Sequence, residues 1–387
     1  MTRQHVSTLS VIVALLIGAA VPAAAQTQSR PQAGWFNEYR TFSLYEENDS
    51  LAFKGATSST DETYTQGLRL TWDFAQWPGW AAKAERFSLL RLRRHDDVID
   101  SCSPAHTRLA GACGTVTFGL GQTMFSPRNI ITTTRQTRDQ PYAGYLFGSA
   151  GVTVLDGRLQ STSELTIGVT GPGSLAQDTQ SFVHWAISTG SAKPSGWAHQ
   201  LKTAAHVGLL QNYAVRLLEH CASQAGCTGG AAEHRVFDLA VRPEYVLTTA
   251  MARGSLGATL RLGYGFPERI GTRIPATLAP PATQTTRTPA PKYIVAFATY
   301  DRRFVGHNAF ITGGYADGGT SGWRSVREIE LKRQVTEYAF GVAGGWGPLN
   351  VSYQSATRSL EWAPTTGFDP RPHHRFGSLT ISLNAGR

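Results

Sequence analysis

Between Tyr64 and Phe74 the chain alternates residue by residue: Tyr64, Gln66, Leu68, Leu70, Trp72 and Phe74 share one face, while Thr65, Gly67, Arg69, Thr71 and Asp73 share the other. A period of two predicts a strand with one apolar and one polar side. The rhythm returns in Glu164 to Thr170 and in Leu256 to Tyr264, where Leu256, Ala258, Leu260, Leu262 and Tyr264 interleave with Gly257, Thr259, Arg261 and Gly263. Followed to the end, it predicts twelve strands, over 35–48, 64–74, 115–124, 143–155, 164–170, 206–217, 235–248, 256–266, 293–304, 335–345, 350–358 and 375–384. Alternation in the first of these is imperfect. Pro243 lacks an amide hydrogen and predicts a bulge or an irregular ladder in its strand.

An even number of such strands fits an all-β fold, an antiparallel transmembrane β-barrel with an apolar exterior and a polar interior. A charge on the lipid face at the bilayer midplane costs roughly 2–4 kcal/mol, so Arg261 is expected in the lumen. With both ends in the periplasm, parity sends the loops beginning near Ser50, Phe125 and Gly171 to the extracellular side. The cysteine-bearing connectors fall on the periplasmic side, which is unusual because barrels favour short turns there. The loop from Gly171 to Lys202 breaks the strand rhythm and predicts a short helix capped by Ser174. A second short helix fits 81–92, the Pro- and Thr-rich stretch 267–291 reads as a connector, and 309–330 reads as a long excursion.

Address comes from the first 25 residues: Arg3, an apolar run from Val11 to Val21, then Ala23-Ala24-Ala25. The run is shorter than the roughly 20 residues a spanning helix needs, so residues 1–25 read as a secretory signal and 26–387 as one barrel domain. No later apolar run approaches a helical span. Although 41% of the 387 residues are hydrophobic, as in a soluble protein, alternating lipid- and lumen-facing residues average out the same way. A net charge of +9 suits an anionic lipid, or simply a solvated surface; no nucleic-acid-binding motif is present. Cys102 with Cys113 and Cys221 with Cys227 form two local pairs that export makes natural disulfides, four free thiols being the alternative.

Three loops on one side carry the unusual polar residues. The first brings Glu47, Asn48, Asp49 and Thr65; the third brings Gln180 and His184, whose spacing puts them on one face of a helix or a strand alike. Ester hydrolysis needs a base and a positive group where oxyanion charge develops. An unperturbed imidazole titrates near neutrality, so His184 suits the first role. Asp49 beside a threonine suits calcium, which takes carboxylate, carbonyl and hydroxyl oxygens. Taken singly, each residue has a plainer reading: Glu-Asn-Asp as turn chemistry, Thr65 as a strand residue, His184 as a solvated side chain.

The order and spacing of several motifs add to this. Glu47-Asn48-Asp49, Tyr64-Thr65-Gln66-Gly67, Asp139-Gln140-Pro141-Tyr142-Ala143-Gly144, Gly168 to Pro172, Gln180 with His184, and Gly196-Trp197 before Gln200 together resemble the outer-membrane lipid A 3'-O-deacylase family, from about Phe42 to the last strand. The resemblance implies a twelve-stranded barrel in the outer membrane and calcium-dependent removal of 3'-linked acyl chains from lipid A, the lipopolysaccharide anchor. It also implies His184 as base, Asp49 as a calcium ligand, Asn48 as an oxyanion or metal-site group, and Thr65 and Gln180 as partners shaping the site. Arg128 is only a candidate for the family's basic residue after the third strand, and Gln140 stands where relatives often carry a base. The rival readings are an outer-membrane phospholipase or esterase, although no Gly-x-Ser-x-Gly elbow is present, and a non-catalytic channel or structural barrel.

Overall fold

The computed structural model describes residues 39–52, 63–74, 80–81, 100–101, 113–187, 193–222, 235–266, 292–317, 329–364 and 373–384. Twelve long antiparallel strands close into a barrel. They are β1 (Tyr39–Asn48), β2 (Thr63–Phe74), β3 (Cys113–Ser126), β4 (Ala143–Asp156), β5 (Leu159–Thr170), β6 (Ala205–Cys221), β7 (Arg235–Thr248), β8 (Met251–Tyr264), β9 (Tyr293–Asn308), β10 (Gln334–Trp346), β11 (Leu349–Ser359) and β12 (His373–Asn384). Each pairs with its neighbour in the chain, and β1 pairs with β12 to remove the free edges. All twelve expected strands are present, most of them extending a residue or more beyond the predicted limits. The predicted signal, the 267–291 connector and most of the 81–92 helix lie outside the described residues; of the last, Trp80 and Ala81 are helical.

Alternation sorts the side chains as the pattern requires. Leu165 and Ile167 are 63% and 70% exposed on the outer surface, whereas Glu164 and Thr166 between them are buried. Inside, charges neutralise one another across strands. Arg69 meets Glu164 at 2.7 Å, Arg242 meets Asp301 at 2.9 Å, and Arg261 holds both oxygens of Asp238 at 2.8 and 2.5 Å. Arg261 therefore faces the lumen, as the cost of a lipid-facing charge demands.

Towards the upper rim, extracellular in the expected topology, the lumen is closed by rings. Asn308 caps a one-turn helix (Ala309–Thr312) by accepting from the Phe310 amide at 3.1 Å. Phe310 then stacks on Phe125 at 5.0 Å and lies 5.6 Å from Tyr145. Tyr64 and Phe376 complete this layer.

Two local expectations are corrected. A bulge between Tyr64 and Gln66 resets the alternation of β2, so Tyr64 joins the lumen face, where its hydroxyl donates to Glu47 Oε2 at 3.0 Å. Strict period-two counting had put it on the lipid face, because one extra residue flips every side chain beyond it. Ser174 does not cap the helix that follows: it ends a 3-10 turn (Gly171–Ser174) and its hydroxyl donates to the Gly171 carbonyl at 2.6 Å. As for Pro243, the ladder to β8 runs through it in register while pairing to β6 skips it, since a proline has nothing to donate on that side.

Candidate functional site

The site is built from five strands and one helix. Directly paired residues in an antiparallel sheet point to the same side, so the register row Gly377, Asn48, Gln66, Met124, Gly144 across β12, β1, β2, β3 and β4 shares the outer face. The next row down contains Leu379, Glu46, Leu68, Gln122 and Leu146. Below that come Ile381, Leu44, Leu70, Leu120 and Gly148, where the apolar lipid-facing belt begins. Glu46, Gln66 and Gln122 thus stand on the lipid side of the wall, yet all three are buried.

Two chain segments cover the ends of the upper row. At the β4 end, the 3-10 turn and the helix α1 (Ala176–Ile187) lie against the wall. A side chain at Gly144 would place its Cβ 2.1 Å from Ser174 Oγ and 2.3 Å from Ala176 Cβ, so only glycine lets α1 come this close. Gln122 Nε2 donates to the Ser174 carbonyl at 2.6 Å. Met124, Ile130, Tyr142, Ala176 and Trp197 form the apolar seal between helix, wall and loops. At the β12 end, Asn48 caps a second 3-10 turn (Asp49–Leu51), its Oδ1 accepting from the Ser50 amide at 2.8 Å. That turn crosses over Gly377, whose added Cβ would stand 2.3 Å from the Leu51 carbonyl oxygen, and Tyr353 donates to the same oxygen at 2.5 Å.

Gln180 is a strut. It accepts from Trp197 Nε1 at 2.8 Å and donates to Ser126 Oγ at 3.2 Å. Ser126 in turn has its carbonyl held by Gln140 Nε2 at 2.8 Å, and Asp139 accepts from the Gln140 and Arg128 amides. Tyr142 packs against Trp197, the two rings tilted by 42° with centres 4.8 Å apart. The Asp139 to Gly144 motif and Gly196-Trp197 therefore build the cradle of α1. Arg128 enters this network through its backbone amide.

His184 follows Gln180 by one turn on the wall-facing side and is partly buried. Four helical residues advance about 6 Å, slightly more than the roughly 4.8 Å between strands. Ala176 lies against Gly144 in β4 and Gln180 against Ser126 at the end of β3, so the next step carries His184 towards the start of β2. There Thr65 sits in the bulge, its Oγ1 buried with no hydrogen-bond partner. Asp49, also buried, follows Asn48, the β1 partner of Gln66. Glu46 accepts from Gln66 Nε2 at 2.9 Å in the floor below.

Carboxylate, amide and an unpartnered buried hydroxyl are the donor types a hard cation takes. Among the described residues, no group of three or more His, Cys, Asp or Glu side chains gathers as a metal cage. A cation here would draw on Asp49 together with Thr65, Asn48 and backbone oxygens.

Sequence reading gave Asn48, Asp49, Thr65, Gln180 and His184 and missed the floor. Glu46, Gln66 and Gln122 carried a usable signal: three polar residues on the lipid parity of adjacent strands, in two neighbouring register rows. Trp197 and Gly144 stood in the quoted motifs without their roles being legible, and Ser126, Tyr353 and Gly377 carried no signal, because their partners depend on which loop lands where.

A closed twelve-stranded outer-membrane barrel, with paired charges in its lumen and buried polar residues on its outer wall, is the class these features define. The chain belongs to the family of the outer membrane protein LpxR, whose model matches residues 9–385. Among solved structures, LpxR from Salmonella typhimurium is 16% identical with a TM-score of 0.63, over 89% of this chain and 99% of that one. The β domain of the Bordetella autotransporter BrkA gives a TM-score of 0.37 at 9% identity, over 89% of this chain and 98% of that one. No curated protein sequence matches.

Proposed function

We propose that the protein is a lipid A 3'-O-deacylase of the outer membrane, hydrolysing a 3'-linked acyl ester to an alcohol and a fatty acid. The observation that carries this reading is the buried polar floor of Glu46, Gln66 and Gln122 on the lipid side of the wall, next to a helix bearing His184. Polar groups buried at the edge of a lipid belt are costly unless paired, and an ester of a lipid presents itself at that height.

In this mechanism His184 takes a proton from water as the oxygen attacks the ester carbonyl, then returns it to the leaving alkoxide. Asp49, with Thr65 and Asn48, would hold Ca²⁺. When bound, the ion supplies positive charge opposite the developing oxyanion. Gln180 fixes α1, and so the height of His184 above the floor. The aromatic layer and the ion pairs in the lumen speak against a conducting channel.

Mass spectrometry of lipid A tests the reading, using cells that express the wild type, His184→Ala or Asp49→Ala. The expected result is loss of a 3'-linked acyl or acyloxyacyl mass with the wild type only, suppressed by calcium chelation and restored by added calcium. Unchanged lipid A with folded wild-type protein and calcium present overturns it.

We further propose that residues 1–25 are removed on export and that Cys102–Cys113 and Cys221–Cys227 are disulfides. Cys221 is buried at the lower end of β6; Cys102 and Cys227 lie outside the described residues. The intact mass of the purified protein, alkylated with and without prior reduction, tests both statements.

A further inference from the structure

The face of α1 turned away from the wall exposes two large apolar side chains, Phe182 and Trp185, beside Asp178 and Ser181. With Ala176, Gln180 and His184 towards the barrel, a 100° step per residue sets Phe182 and Trp185 on the opposite side, and Leu175, in a left-handed conformation just before α1, is exposed as well. Leu175, Phe182 and Trp185 are 53%, 50% and 79% exposed, and the Phe182 and Trp185 rings lie 5.9 Å apart. An exposed Trp–Phe pair on a surface helix is a specific feature, because large apolar side chains left in water in a contiguous stripe mark an interaction surface.

The position of the helix identifies what that surface meets. Gln122 is covered by the Ser174 carbonyl at the foot of α1, whereas Leu120, two residues lower on the same face of β3, is 48% exposed. The lipid-facing belt therefore begins about 7 Å along β3 from the residue that the turn before α1 covers. A helix with side chains is about 10–12 Å across, so the stripe continues the belt outward at the level where acyl chains give way to headgroups. Tryptophan favours that boundary, its ring apolar and its N–H wet. Asp178, the one charged residue of this face, sits in the first turn, where the helix dipole stabilises it.

We infer that α1 is an interfacial helix whose Phe182 and Trp185, together with Leu175 just before it, dip into the outer leaflet and grip lipid acyl chains at the headgroup boundary. The cleft beneath α1 is then held against the bilayer surface. The inference uses the membrane setting of the barrel, and only its catalytic consequence rests on the proposed deacylation.

The test reads tryptophan fluorescence in phosphatidylcholine vesicles whose acyl chains carry bromine at a shallow or a deep position, comparing the full-length wild type with Trp185→Phe. The wild-type minus variant signal isolates Trp185. The expected result is that shallow bromines quench this component at least twice as strongly as deep ones, and that aqueous iodide quenches it little. Quenching by iodide with no effect of bromine places Trp185 in water and overturns the inference. Protection from both quenchers places it against protein, a second copy included, and overturns it as well. Because no turnover is needed, a wild type that leaves lipid A unchanged while showing shallow quenching would sink the deacylase reading alone. If both hold, Phe182→Ser with Trp185→Ser should lower deacylation of vesicle-embedded substrate at least fivefold and leave that of detergent-dispersed substrate within twofold.

Discussion

Gly144 and Gly377 stand at the two ends of one register row on the outer wall, and each holds open the space that a covering segment occupies. The residues between them are Asn48, Gln66 and Met124. The cleft is thus defined by two absent side chains as much as by those present.

Gly144→Leu should lift α1 from the wall, since the new Cβ alone would overlap Ser174 and Ala176. Inserting bulk into a packed contact costs about 1–3 kcal/mol, and here the strain falls on a loop rather than on the ladder. Lipid A deacylation is expected to fall at least tenfold, while heat-modifiable mobility on gels, which reports the folded barrel, stays as in the wild type.

Tyr353→Phe removes the hydroxyl that holds the Leu51 carbonyl. One such hydrogen bond contributes about 1 kcal/mol, a factor of roughly 5 in an equilibrium. The turn carrying Asp49, the proposed calcium ligand, loosens, so if that role holds the calcium concentration giving half-maximal activity should rise about fivefold with little change at saturation. Gly377→Ala acts on the same turn through backbone and should raise it further. Titration of activity against buffered calcium distinguishes these outcomes from loss of catalysis.

Gln180→Ala leaves Trp197 Nε1 without the acceptor it has now, and a buried donor so stranded costs about 1–3 kcal/mol. If Gln180 acts chiefly as a strut, Trp197→Phe removes the same bond from the other side and the two losses overlap. Deacylation by the double variant should then be close to that of the worse single one, with a coupling of about 0.5–3 kcal/mol. Strict additivity would assign Gln180 a separate role in the reaction.

Strand number, closure and lumen chemistry were legible because alternation is a local property with a global cost: a charge such as Arg261 has only one affordable side. The bulge at Thr65 was not, since an inserted residue looks like any other until its partners are known, and Tyr64 went to the wrong face. The candidate residues were legible as a motif order. The packing of α1, with Gln180 and His184, against the outer wall was not, because it rests on Gly144 and on the Gln180 strut. Ser174 shows the limit on a smaller scale: a good capping residue was taken by the turn before the helix.

The lumen separates stability from activity. Asp238 is fully buried near the lower end of β7, gripped through both oxygens by Arg261, with Arg216 at 3.5 Å and Arg235 at 3.8 Å. Removing one member of a buried ion pair costs about 3–5 kcal/mol, because the charge left behind has lost both its counter-ion and its water. In Asp238→Ala three guanidinium groups crowd a site that has lost the carboxylate between them, so the temperature at which the barrel loses its folded gel mobility should drop clearly. Asp238→Asn keeps acceptor geometry but not charge and should fall between. The cleft lies at the upper end of β1 to β4, on the other side of the wall, so deacylation at 25 °C by the fraction still folded should stay within twofold of the wild type. A large loss of activity per folded molecule would show that the lumen network reaches the cleft, and the division of labour between the two faces would have to be abandoned.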